Sequence, residues 1–145
     1  MQDFPHHYQV AATAAESGNV ELSSEGVATL ASAPPAEFGG PGDQWSPESL
    51  LVAAVADCFV LSFRAIARAS KLDWTSLSCN VVGTLDRVER KPQFTAFEVS
   101  AELVVPAGTD EAKAQRLLQK AEDVCLITNS LIADSHLTAT VRLLG

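Results

Sequence analysis

The first 63 residues contain no lysine and no arginine. Ten basic residues lie from Arg64 onward and offset the ten acidic ones there. The formal net charge of −8 therefore arises from Asp3, Glu16, Glu21, Glu25, Glu37, Asp43, Glu48 and Asp57. So acidic a chain lacks the clustered positive charge through which nucleic acids and anionic membranes are held, and neither is expected as a partner; its acidity mainly favours solubility. Cysteine is scarce as well. Cys58, Cys79 and Cys125 are the only three, which excludes a disulfide framework. No basic start is joined to an apolar stretch at the N-terminus, so no secretory signal is read and the expected compartment is the cytoplasm. The longest apolar run is broken by Asp57 and ends at Arg64, which reads as too short and too interrupted to cross a bilayer.

What is present fits an ordinary globular chain. With 145 residues, 47% hydrophobic and 19% charged, one domain over residues 1–145 is expected. Tyr8 to Ala15 and Asn19 to Ser24 read as a hairpin, with a third short strand over Val27 to Ser32. The segment from Ala33 to Gly42 is dense in proline and glycine and reads as a loop; it resembles a phosphate loop in its glycines only, since no Lys-Ser/Thr follows. Ser46 is a good N-cap for a helix to about Ser70, with Pro47 at the first position and Glu48 near its positive end. From Leu50 to Phe63 that helix is apolar nearly all round, so it reads as a central helix enclosed by protein. Leu77 to Arg87 and Phe94 to Val105 alternate as two long strands joined through Glu89 to Gln93. Thr109-Asp110-Glu111 opens an amphipathic helix to about Glu122, and Leu137 to Leu143 reads as a last strand. The order predicts an α+β fold. A helix this apolar needs cover on both sides, and pairing two copies in a homodimer supplies it.

The cysteines carry the chemistry. Cys58 lies in the run Ser46-Pro47-Glu48-Ser49-Leu50-Leu51-Val52-Ala53-Ala54-Val55-Ala56-Asp57-Cys58-Phe59, and Cys125 in Val124-Cys125-Leu126-Ile127-Thr128-Asn129-Ser130-Leu131. Taken singly, each reads equally as a small buried hydrophobe. No zinc-type ligand spacing accompanies them, and no metal or cofactor is expected. Cys79 alternates into a strand and reads as structural.

Those two runs, and the 67 positions separating Cys58 from Cys125, resemble the OsmC/Ohr family of thiol-dependent peroxidases. The resemblance implies antiparallel sheets around a long buried central helix, in an intertwined homodimer with sites at the subunit interface. It implies that Cys58 is the peroxidatic and Cys125 the resolving cysteine, that Glu48 is the family's glutamate after proline, and that the substrate is an organic hydroperoxide. The reductant it implies is a dithiol, a lipoylated protein in some members. The family's N-terminal arginine has no counterpart, because no cation precedes Arg64. Neither Arg64 nor Arg68 is placed to replace it, being six and ten residues beyond Cys58, and His6, His7 and His136 have no assigned position. Two readings therefore stand: a peroxidase, or a small-ligand binding or redox-sensing module of the same fold.

Overall fold

Helix α1 (Pro47–Ala69) starts at a reciprocal serine cap. Ser46 Oγ accepts from the Ser49 N–H at 3.1 Å, and Ser49 Oγ accepts from the Ser46 N–H at 2.9 Å, so each hydroxyl satisfies a backbone donor left open at a helix start. Pro47, which has no N–H to satisfy, fits the first position. The structure, a computed structural model, describes residues 1–145. It divides into two compact units, Met1–Leu50 and Leu51–Gly145.

In the first unit, β1 (Ala11–Thr13), β2 (Val20–Ser23) and β3 (Leu30–Ser32) form an antiparallel sheet in that order. All three residues of β1 are exposed. The glycine-rich segment is a closed loop. A 3-10 turn at Ala36–Phe38 ends on Gly39 at φ 82°, and Ala33 N–H donates to Trp45 O at 2.8 Å, tying the loop's end back to its start. Gly40 is required there, since a Cβ at that position would lie 1.7 Å from the Pro34 carbonyl oxygen. The glycine serves close backbone approach, not a ligand.

In the second unit, β4 (Ser76–Val88) and β5 (Lys91–Pro106) pair antiparallel across a tight turn whose Glu89 and Arg90 adopt φ of 49° and 72°. The turn is shorter than the sequence suggests, because two non-glycine residues accept the left-handed region. Strand β6 (Asp134–Leu144) runs parallel to β5. This sheet is therefore mixed, where the resemblance implies antiparallel sheets; alternation fixes which face a residue takes but not a strand's direction. The crossover carries α2 (Glu111–Asp123), N-capped by Asp110 Oδ1 on the Lys113 N–H, and the short α3 (Leu126–Asn129). A parallel neighbour needs such a connection.

The core lies in this unit. Val55, Phe59, Phe63 and Ala67, four residues apart along α1, are buried with Phe97, Val99, Ala101, Leu103 and Val105 of β5 and Ala114, Leu117, Leu118 and Ala121 of α2. Gly83 of β4 permits the approach of the helix, as a Cβ there would meet Val52 Cγ2 at 2.8 Å. The rest of α1 is left open by its own chain, as a helix needing cover on both sides requires. Leu61 is 49% exposed, and Ala53, Ala54 and Val60 are half-buried, so a single chain covers only one stripe. The expectation of a run too short for a membrane fails on length. At 23 residues α1 is long and apolar enough to span one by length and composition, but its buried stripe is that of a core helix packed on a sheet.

Candidate active site

Cys58 sits midway along α1, one residue before the buried Phe59, and is itself half-buried. Its Sγ lies 3.9 Å from Ser62 Oγ on the next turn. Cys125 occupies the break between α2 and α3. Helix α2 ends at Val124, whose N–H still reaches Lys120 O at 3.0 Å, and Cys125 then turns extended with φ −61° and ψ 106°. The next residues fold back on it. Asn129 N–H and Thr128 Oγ1 donate to Cys125 O at 3.0 and 3.2 Å, and Asn129 Nδ2 donates to Asp123 O at 3.2 Å. The cysteine is thus held in a hydrogen-bonded turn and is 1% exposed.

The fold brings these two thiols near enough for Cys58 to act on the Cys125 thiol. Burial is the largest influence on Cys125 and pushes its thiol up from the ordinary value. The Thr128 hydroxyl and backbone N–H pull the other way, and Cys58 raises it further. Cys125 accordingly keeps its proton at neutral pH. Given a two-electron oxidant to take both electrons and both protons, two neighbouring thiols can trade their S–H bonds for one S–S bond.

Cys79 is a finding the sequence did not announce as part of the site. It occupies the inward row of β4, opposite Ala101, and packs against the core. Its thiol is pushed up to about 11, first by burial, then by the Glu122 carboxylate, then by Cys125. A third thiol therefore lies within electrostatic reach of Cys125 while remaining protonated. Strand parity was the available signal, since Leu77, Cys79 and Val81 share one face.

Glu48 lies in the first turn of α1, ten residues ahead of Cys58, or about 15 Å along the axis. Its Oε1 is buried and has no hydrogen-bond partner. Asp57, Arg64 and Arg68 are exposed, as is His136 on the outer side of β6. His6 stacks on Phe4 at 4.6 Å and bonds Tyr8 and Gln2 within the N-terminal segment. Arg142, on β6, pairs with Glu102 at 3.5 Å.

Comparison with known proteins bears on this geometry. The family model described as OsmC-like protein matches residues 40–140. An organic hydroperoxide resistance protein of Xanthomonas axonopodis pv. citri is 32% identical over 112 residues, covering 74% of each chain. Among solved structures, an OsmC-like protein of unknown function from Vibrio cholerae superposes with a TM-score of 0.85 at 18% identity, over 93% of this chain and 99% of that one. The organic hydroperoxide resistance protein OsmC of Legionella pneumophila reaches 0.74 at 26% identity, over 97% and 99%.

Proposed function

Because the chain belongs to the OsmC-like family, we propose that it is a thiol peroxidase that reduces organic hydroperoxides through a Cys58–Cys125 disulfide, in defence against oxidative stress. The observation that carries this reading is the proximity of two thiols 67 residues apart in sequence. The Cys58 thiolate attacks one oxygen of the hydroperoxide, the O–O bond breaks, and the alkoxide leaves to be protonated as the alcohol. Cys58 is now a sulfenic acid. Cys125 then attacks that sulfur and the S–O bond breaks; the hydroxide leaves with the Cys125 proton as water, and the disulfide remains. The substrate has gained two electrons and the thiol pair has lost them. A dithiol, such as a lipoylated protein, returns them by exchange. Burial of Cys125 suits the second step, since a protonated resolving thiol does not compete for the hydroperoxide.

Glu48 is the third proposed participant, its unpartnered carboxylate oxygen awaiting a donor. The half-covered apolar faces of α1 support a homodimer, which would bury Leu61 and its neighbours. The proposed setting is the cytosol, where dithiol reductants keep such a pair cycling.

One observation favours the second reading, a ligand-binding or redox-sensing module. No lysine or arginine precedes Arg64, so no cation from that segment activates Cys58. A single test separates the two. Protein given one equivalent of cumene hydroperoxide should form the Cys58–Cys125 disulfide, seen by mass spectrometry, and should turn over with excess dithiol. Cys58→Ser should lose turnover entirely. Consumption no faster than that of a free thiol would leave the binding module.

A further inference from the structure

We propose that Cys79 is a third exchanging thiol, which takes Cys125 over from Cys58 and returns Cys58 to its reduced form. The step follows on the Cys58–Cys125 disulfide proposed above, and so rests on that reading. The chain has three cysteines, all free and all in the second unit. Cys125 links the other two, since Cys58 acts on it from α1 and it acts in turn on Cys79 of β4. Cys79 shares the inward face with Leu77 and Val81, and its row continues across the sheet as Ala101 of β5 and Ala139 of β6. From α1 the same core receives Val55, Phe59, Phe63 and Ala67. None of these side chains ionises or reacts with a thiol. The groups that do act on Cys79 are the Glu122 carboxylate, in the last turn of α2, and Cys125 just beyond it. A carboxylate is inert toward a thiol, so Cys125 supplies the sulfur with which Cys79 exchanges. Re-aiming that sulfur from α1 toward β4 takes a side-chain rotation, at a residue that lies between two helices rather than inside one.

In the step, the Cys79 thiolate attacks the Cys125 sulfur of the Cys58–Cys125 disulfide. The Cys79–Cys125 bond forms as the Cys58–Cys125 bond breaks, and Cys58 leaves as a thiolate that takes up the proton Cys79 released. The protein neither gains nor loses electrons. The freed Cys58 then reduces a second hydroperoxide and becomes a sulfenic acid. Burial, with the Glu122 charge behind it, pushes the Cys79 thiol up to about 11, so on the order of one molecule in ten thousand is ionised at pH 7. The exchange is slow there, and an abundant dithiol reduces the first disulfide before it occurs. Cys79 thus serves when reductant runs short.

The test follows the disulfide in wild-type protein. Diamide, which removes two electrons and two protons from a thiol pair, is added at one equivalent without hydroperoxide. Samples are alkylated, quenched in acid, digested with pepsin and mapped by mass spectrometry. We expect the Cys58–Cys125 disulfide first, then Cys79–Cys125 growing at its expense while Cys58 becomes alkylated. The transfer should quicken about tenfold per pH unit from pH 8 to 10, as Cys79 ionises. At pH 9, without reductant, wild type should consume about two equivalents of cumene hydroperoxide where Cys79→Ala consumes about one. A map in which Cys79 stays free at every pH overturns the proposal. Cys79–Cys125 appearing with no Cys58–Cys125 before it, or one equivalent consumed by both proteins, does the same. Transfer under diamide with no hydroperoxide consumed by either protein upholds the exchange and overturns the peroxidase reading instead.

Discussion

Strands of three, four and three residues build the sheet of Met1–Leu50, whereas those of Leu51–Gly145 run to thirteen, sixteen and eleven. The first sheet exposes every residue of β1, and the second buries five residues of β5 alone under two helices. The first unit carries acids and neither lysine nor arginine, and the second carries all ten of those cations. Both neighbouring thiols belong to the second. The contrast teaches that the two neighbouring thiols are carried by the part of the chain with a core of its own.

Three substitutions bring that contrast to measurement. The largest effect is expected at the core. Phe59→Ala empties a fully buried aromatic position next to Cys58 and should cost about 3–5 kcal/mol in urea unfolding. Val10→Ala, at an exposed apolar residue of the first unit, should stay within about 0.5 kcal/mol. Equal losses at the two positions would break the comparison.

A smaller effect is expected where the first unit hands the chain to α1. Ser46→Ala removes the hydroxyl that accepts the Ser49 N–H and should cost about 1 kcal/mol. Amide exchange at Ser49 should quicken with it, while the Val99 amide in β5 should not.

The smallest effect is one of pH. The folded state holds the Cys79 proton up to about 11, against 9.0 ordinarily, so between those values the folded chain binds a proton the unfolded chain has released. The contribution is fully present below pH 9 and is lost as pH rises through about 11. Stability should therefore decline with pH across that window, and Cys79→Ala should make the decline shallower in thermal melts.

Much of the fold was legible in the sequence because local chemistry decided it. Ser46-Pro47 marks the start of α1, Asp110 the start of α2, and the alternation from Phe97 to Val105 the inner face of β5. The direction of β6 was not legible, since the pattern from Leu137 to Val141 reads the same either way along a neighbour. What covers the open side of α1 was not legible for a related reason. An apolar surface asks for cover without saying which chain supplies it. At the candidate site, Cys58 and Cys125 were singled out by their flanking residues, whereas the nearness of Cys79 to Cys125 depends on how β4 pairs with β5 and how α2 ends. Those are tertiary facts. The unpartnered Glu48 oxygen is another, because a lone carboxylate at a helix start looks satisfied by the helix itself.

The seam between α1 and the α2–α3 turn has a mechanical consequence. A bond across it would close a ring holding β4, β5 and α2 between two residues 67 apart. A cross-link of that span removes much of the freedom of the unfolded chain, on the order of 4 kcal/mol. Oxidised and reduced protein would then differ in melting temperature as well as in sulfur chemistry, and the molecule would carry the record of its last encounter with an oxidant as heat resistance.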